Sequence, residues 1–434
     1  MDLTPRLIEP VPAADIAATW AASGAMALTG PAEGAPLGAP SSVVTALCGA
    51  AGRLTTLSEE IGRRVVVNGP ALLAERAAST GHHRRGRVSC GGSARLLPAA
   101  DGWLAVSLAR ADDVDLLPAW LGAAPDEVPL ALPYPDDDVW RFVAAAVRTE
   151  AVTPLVQRAV PLGLPVAALG ERAGDLDAVL AHRVGDARPT EDVRDRRVVD
   201  LSSLWAGPSC GRLLRASGLR VVKVESTTRP DGARVGDPVF FDRLNHGKES
   251  VTVDLRQPDG VDALRALVAW ADVVIEGSRP RALRELGIEA GEVLAAGGRT
   301  RIWVALTAHG RAEPYGRRVG FGDDAAVAGG LVAWEADGYP CFLADAAADP
   351  ASGLLAAVAV LDRLRIGGRW LLDVALSRVA ARLAVGPPMP SWPGPIAAPA
   401  DVGVAVVART GPQGRAAALG ADTRRVLDEI GAGA

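Results

Sequence analysis

A chain of 434 residues with 49% hydrophobic side chains, 4% aromatic ones and a formal net charge of -5 carries enough apolar material for two or three domains and lacks the basic footprint of a nucleic-acid binder. Four cysteines, Cys48, Cys90, Cys210 and Cys341, share no C-x-x-C spacing, so neither a metal site nor a disulfide framework is expected and a reducing cytoplasm fits. The first thirty residues hold acids and prolines rather than a secretory start, and no uncharged apolar run reaches the roughly 18–20 residues a bilayer demands, so no membrane partner is expected.

In chain order, Glu33–Leu57 lies without gaps on Asp337–Leu361 at a shift of 304 (353 minus 49), pairing Gly34 with Gly338, Pro36 with Pro340, Gly49 with Gly353 and Leu57 with Leu361. After one residue of slippage, Ile61-Gly62 and Arg64 fall on Ile366-Gly367 and Arg369. The chain therefore reads as carrying two copies of one segment. At the same shift Asp349 falls on Thr45, and a hydroxyl without a neighbouring base does not replace a carboxylate, so the first copy is expected to be catalytically silent. The basic run His82–Arg87 that follows reads as an exposed loop.

Short Val/Ile/Leu runs bounded by polar residues or Gly predict strands at Val198–Leu201, Leu219–Glu225, Ser250–Asp254, Asp272–Glu276, Arg301–Thr307 and Trp370–Val374. Helical stretches such as Pro258–Trp270 separate them. That alternation implies an α/β fold with a doubly wound, mainly parallel, Rossmann-like sheet. Gly207-Pro-Ser209-Cys-Gly211 matches the G-x-S-x-G pattern of a nucleophile elbow, with Asp272 and His309 following in serial order, so a serine hydrolase using Ser209 is a competing reading. No G-x-G-x-x-G follows any strand, which weighs against a nucleotide-dependent dehydrogenase.

Asp349 opens Asp349-Pro-Ala-Ser-Gly353-Leu-Leu-Ala-Ala-Val-Ala-Val-Leu361, which puts one carboxylate at the mouth of an apolar helix. Such a carboxylate suits covalent acyl transfer, because a helix N-terminus stabilises anionic groups. The alternative is a plain helix cap, with Pro350 at the first helical position. Asp323, Asp324 and Asp345 read as caps and solvated acids.

The run Val198-Val-Asp-Leu-Ser-Ser-Leu-Trp205-Ala-Gly-Pro208, then Val221-Val-Lys223-Val-Glu225, Asn245-His-Gly-Lys248-Glu-Ser250, Val251-Thr-Val-Asp254-Leu255 and Asp272-Val-Val-Ile-Glu276 resembles, in this order, the class III CoA-transferases (CaiB/BaiF type), the family of formyl-CoA transferase and carnitine CoA-transferase. The resemblance reaches Asp349, four residues before the Gly of a long apolar helix, and Leu419–Gly431, which looks like the family's closing helix. It implies a CoA-transferase fold with a smaller α+β domain and an activity that moves CoA between an acyl-CoA and a free carboxylic acid. Asp349 would be the catalytic residue. By motif position it also implies CoA contacts at Trp205, Ala206, Val253, Asp254, Leu255, Arg256, Gly277, Ser278, Arg279 and Arg284, with coenzyme A as substrate and no metal. Ser226, the Gly277-Ser278 turn and Glu285 depart from the family's Arg, Asn-Phe and Arg.

Racemase chemistry is disfavoured, since Arg317–Ala325 has no histidine. A catalytically impaired binding or scaffold subunit is the main alternative. The implied organisation is a degenerate copy over residues 1–85, a small domain and connection over 86–190, the CoA-binding and catalytic domain over 195–385, and a Pro-rich link with a C-terminal helix over 386–434. The small domain thus precedes the catalytic domain, the reverse of the family's order. A homodimer is expected.

Overall fold

Alternation of side chains along the strands of the second half decides the architecture. In a computed structural model, which describes residues 13–129, 135–175, 177–389, 394–402 and 414–432, three strands come first, β1 (Ala94–Pro98), β2 (Trp103–Ser107) and β3 (Val166–Ala168), and form an antiparallel sheet of their own. They are followed by β4 (Val179–Gly185), β5 (Arg197–Asp200), β6 (Arg220–Ser226), β7 (Glu249–Val253), β8 (Val273–Glu276) and β9 (Ile302–Thr307). The hairpin β10 (Val332–Trp334) and β11 (Pro340–Phe342) precedes β12 (Arg369–Ala375).

Seven of these make one sheet in the order β4-β12-β9-β8-β5-β6-β7, parallel except for the antiparallel edge strand β4. Val198, Val221, Val273, Ile275, Ile302 and Val304 pack into the core on one face, while Val199, Val222, Val274, Trp303 and Ala305 pack into the other. Period-two side chains that are apolar on both faces are what a parallel sheet covered by helices on both sides requires. All six expected strands are in this sheet, each within a residue of its expected ends. β4 was not anticipated: its pattern is mostly half-exposed, as suits an edge.

On the first face lie the helices Ser41–Ile61, Ala206–Ala216, Ala348–Ile366 and Leu376–Leu383, and on the second Pro258–Trp270, Ala290–Ala295 and Thr423–Glu429. The helices of the two sequence copies, Ser41–Ile61 and Ala348–Ile366, share one core and are joined at their rims by Arg53–Asp362 at 2.6 Å and Arg365–Glu60 at 3.6 Å. A separate core gathers Leu104, Val106, Trp120, Val139, Val143 and Leu155 beneath β1–β3. Residues 390–393 of the Pro-rich link and the first twelve residues lie outside the described residues.

The Ala348–Ile366 helix packs closely on Ala206–Ala216 because Gly353 permits it. A β-carbon at Gly353 would stand 2.7 Å from Ala206 O and 2.8 Å from Ser209 Cβ. The helix begins at Ala348, before Asp349, with Ala347 at the N-cap. Asp349 is therefore a first-turn residue and not the cap, and Pro350 is the third helical residue.

Candidate functional site

Strand order reverses at β5, which lies between β8 and β6, so the loops leaving β5 and β8 diverge to opposite faces and leave a crevice at the carboxyl edge of the sheet. Buried Lys223 donates to Ser202 O at 2.9 Å and pairs with Asp231 at 2.8 Å, and Asp231 accepts the Leu204 N–H at 3.0 Å. These contacts hold the loop after β5, in which Leu204 takes a left-handed φ of 69°. Lys248 anchors the other side of the loop through Asp200 and Pro208 O, both at 2.9 Å. The motif residues Lys223, Asn245 and Lys248 are thus internal supports of the crevice.

Trp205, at the end of this loop, is buried with its ring edge-on to Phe240 at 4.9 Å and the Arg76 guanidinium 4.9 Å from the indole centroid. The same guanidinium forks onto Asp345, with Nε donating to Oδ2 at 2.9 Å and Nη2 to Oδ1. His82 Nδ1 stands 3.5 Å from Oδ2. The turn carrying Asp345 is bent by two further left-handed residues, Ala344 (φ 55°) and Ala346 (φ 45°). No other non-glycine residue among those described, Leu204 apart, has positive φ. Strain of this kind, of the order of 1–3 kcal/mol per residue, persists only where surroundings overdetermine it. Here the surroundings come from the N-terminal segment: Thr29 Oγ1 accepts the Ala344 N–H at 3.0 Å, Leu73 O accepts the Asp345 N–H at 3.4 Å, and Arg76 grips the side chain.

Asp349 follows on the first helical turn, partly exposed between buried neighbours. Its carboxylate accepts the Gly322 N–H. A β-carbon at Gly322 would lie 2.2 Å from Asp349 Oδ2, so only glycine lets the backbone approach. Asp323 receives the Ala346 N–H at 3.2 Å, and Asp324 receives Ser107 Oγ at 2.9 Å and the Phe321 N–H at 2.9 Å. Asp324 is a cap, but all three neighbouring acids, Asp323, Asp324 and Asp345, are buried, which corrects their reading as solvated.

Four carboxyls crowded beside one guanidinium divide by partner. Burial pushes Asp349 up to about 7, with Arg76 opposing and Asp324 adding. Burial likewise lifts Asp323 to about 7 and Asp324 to about 6. Burial acts on Asp345 too, yet Arg76 and His82 hold it down at about 2. Asp345 is therefore the fixed anion that orients Arg76, and Asp323 and Asp349 are both poised near neutrality, of which only Asp349 is partly exposed.

The remaining expected contacts line the same carboxyl edge. Ala206 opens the helix after Trp205, Val253 ends β7, and Gly277 and Ser278 leave β8, with Ser278 Oγ on Glu276 at 2.8 Å. Gly277 faces Ser202, whose Cβ would be 3.3 Å from an added β-carbon. Arg256 is exposed and ion-paired to its neighbour Asp254 at 2.8 Å, with Leu255 between them. Arg284 and Arg229 are exposed, and their side chains have no ion pair among the described residues. Arg279 is lowered by burial and then by Arg110, Arg281 and Arg229. Arg110 reaches this point from the small domain, donating to Gly163 O at 2.8 Å, while Arg279 Nη2 lies 3.2 Å from the β-carbon position of Gly163. Sequence reasoning missed Arg76, Arg110 and Arg229, whose roles depend on packing between distant segments; Arg76 and Asp345 are 269 residues apart.

The hydrolase constellation is not assembled. Asp272 stands at the amino end of β8, held by Arg196 at 2.9 Å and by Arg299, whereas Ser209 lies on the helix after the carboxyl end of β5, wedged against Gly353. Among the described residues no group of three or more His, Cys, Asp or Glu could hold a metal ion, and no helix is long and apolar enough to cross a membrane.

Residues 193–392 match the model of CoA-transferase family III. The chain is 32% identical over 204 residues to the succinyl-CoA–D-citramalate CoA-transferase of Chloroflexus aurantiacus, covering 44% of this chain and 50% of that protein. It is 30% identical over 199 residues to the succinate–glutarate CoA-transferase of Agrobacterium fabrum, covering 42% and 50%. A solved CaiB/BaiF family protein from Brucella suis aligns at 30% identity over 44% of this chain and 56% of that one, with a TM-score of 0.40. The chain thus spans about half the length of the curated relatives it matches.

Proposed function

We propose, from the match of residues 193–392 to the model of CoA-transferase family III, that the protein moves coenzyme A between an acyl-CoA and a free carboxylic acid, with Asp349 as the nucleophile. The observation that carries this reading is the carboxyl of Asp349 itself: partly exposed on a first helical turn, raised to about 7 by burial, and flanked by a turn held in strained geometry. A carboxylate of raised basicity is the stronger nucleophile, and the helix N-terminus and the Gly322 N–H offer stabilisation to oxygen that gains charge.

The steps balance without a net proton. An Asp349 oxygen attacks the thioester carbonyl, the C–S bond breaks, and an aspartyl–acyl anhydride forms as CoA thiolate leaves. The thiolate attacks the aspartyl carbonyl, giving aspartyl-CoA and releasing the donor acid. The acceptor carboxylate then attacks that thioester, forming a second anhydride and freeing the thiolate. Attack of the thiolate on the acceptor's acyl carbon yields the new acyl-CoA and restores Asp349. Exclusion of water protects both anhydrides.

The CoA phosphates find donors where Arg279 converges with Arg110, Arg229 and Arg281; Arg110 is paired with Asp113 and Arg281 with Glu285 at 3.9 Å, so Arg279 and Arg229, which have no ion pair among the described residues, are the stronger candidates. Arg256, bound to Asp254, is the weaker candidate. The small domain thereby contributes to CoA binding from its position ahead of the catalytic domain. In cells the protein acts in the cytoplasm.

Asp349→Ala is expected to abolish transfer from acyl-CoA to a free acid while leaving the folded state intact, and hydroxylamine should mark Asp349 of the wild-type protein once acyl-CoA is present. Transfer at the wild-type rate by the variant would overturn the assignment. A scaffold role would be supported if CoA bound but no adduct formed on any residue.

A further inference from the structure

A cavity of about 740 Å³ opens where three parts of the chain meet: the end of the basic run around Arg85–Arg87, strand β1 with the start of β2, and the turn between β10 and β11. It does not include Asp349, and none of the proposed transfer steps uses it. The basic run is stitched to each neighbour. The Gly86 N–H donates to Gly30 O at 2.9 Å, the Leu96 N–H to Arg87 O at 2.8 Å and the Phe342 N–H to Gly86 O at 3.0 Å. Its backbone is thus a fixed wall, from which the side chains of Arg85 and Arg87 stand exposed.

Four arginines, Arg85, Arg87, Arg95 and Arg148, line the cavity against one acid, Glu335. Glu335 is taken by Arg87 at 3.3 Å, and Arg95 pairs with exposed Asp137 at 3.4 Å. Arg85 and Arg148 are exposed, and neither side chain has an ion pair or hydrogen bond among the described residues. Val88 bridges to both Arg85 and Arg95 and so sets them on one wall. Burial lowers the pKa of Arg95, and Arg85 lowers it further against the pull of Asp137. Cations held together with too few acids between them create a potential that an anion relieves.

The rest of the lining is apolar, with Pro31, Leu97 and Pro98 among it. Trp103 and Tyr339 meet edge-on there, their ring centroids 5.7 Å apart and their planes at 89°, and Tyr339 is 46% exposed. Two rings at a right angle form a corner against which a flat body packs by stacking on one and meeting the edge of the other. We propose that this cavity binds a small phosphate monoester carried on a flat ring, with the phosphate drawn by Arg85 and Arg148 and the ring seated on Trp103 and Tyr339. A phosphate monoester carries close to two negative charges and three acceptor oxygens, which answers two unpaired guanidiniums where a single carboxylate would answer one. The site is independent of the transfer reading, because binding to it requires neither CoA nor Asp349.

Phenyl phosphate serves as the probe, titrated into the full-length protein by calorimetry. One equivalent is expected to bind saturably, in the wild type and equally in Asp349→Ala, while inorganic phosphate, which lacks the ring, and benzoate, which lacks the second charge, bind at least about tenfold more weakly. Arg85→Gln and Arg148→Gln should each weaken phenyl phosphate by about tenfold, as loss of a charge-assisted hydrogen bond does. Tyr339→Ala should weaken it by about fivefold and leave inorganic phosphate unchanged. All three side chains are exposed, so the variants are expected to fold. Arg424→Gln, which removes an exposed charge from the C-terminal helix, should change nothing and so separates a site from overall charge. Absence of saturable binding, affinity unchanged in both Arg85→Gln and Arg148→Gln, or inorganic phosphate or benzoate binding as tightly as phenyl phosphate would each overturn the proposal. Displacement of phenyl phosphate by CoA would also overturn it, by making the cavity part of the CoA site. Loss of transfer in Asp349→Ala with phenyl phosphate binding retained would leave it standing.

Discussion

At the scale of single residues, Arg76 decides the electrostatics of the site. It is the cation that opposes the rise of Asp349 and holds Asp345 near 2. With Asp349 near 7, the transfer rate kcat/KM is expected to climb as pH rises from 6 to 8. Arg76→Gln removes a positive charge that favours the carboxylate, so the climb should move to higher pH by about one unit, while Arg76→Lys restores part of it. A purely structural role for Arg76 would lower the rate without moving the limb, and the pH profile separates the two. Stability follows the same signs. The raised groups Asp323 and Asp349 contribute stability that is full below about 4 and is lost as pH rises through about 7, whereas Asp345 contributes above about 4 and its contribution is lost as pH falls through about 2. Asp349 could be singled out in the sequence because a carboxylate beside Pro and four residues before Gly in an apolar run is a local pattern. Arg76 could not, since nothing near it signals a partner 269 residues away.

At the scale of elements, the parallel strands were legible because their period-two pattern is apolar on both faces, a property of five or six consecutive residues. β4 was not legible: an edge strand pairs on one side only and needs no apolar face. The start of the Ala348–Ile366 helix was read slightly late, because Asp349-Pro350 looks like a cap with its proline when the chain enters through Ala347 instead. Gly353 tests the packing of that helix. Gly→Ala in a helix interior ordinarily stabilises by roughly 0.5–1 kcal/mol, but here the new β-carbon would meet Ala206 O at 2.7 Å and Ser209 Cβ at 2.8 Å. One of these contacts is backbone on a helix wedged against the sheet, so Gly353→Ala should destabilise by about 1–3 kcal/mol, read as a lower urea midpoint. A midpoint that rises would mean that the two helices are not in the contact described.

At the scale of the whole molecule, the sequence suggested an order of parts but not how those parts pack. A repeat whose copies each present an apolar face suggested pairing between chains. Within one chain, however, Val43, Val44, Leu47, Leu54 and Leu57 of the first copy bury against the same core as Leu354, Val360, Leu361 and Leu364 of the second. The N-terminal segment also supports the turn that precedes Asp349, through Thr29, Leu73 and Arg76. The site thus draws on the N-terminal segment, the small domain through Ser107 and Arg110, and the sheet, all within one chain. The repeat faces therefore do not by themselves carry the expected homodimer, because within one chain they cover each other. The expected homodimer would then need another surface, and light scattering at micromolar concentration tests for it against the 44.7 kDa mass of a single chain. A mass of twice that value, unchanged on dilution, would mean that a further surface, outside the two helical copies, drives association.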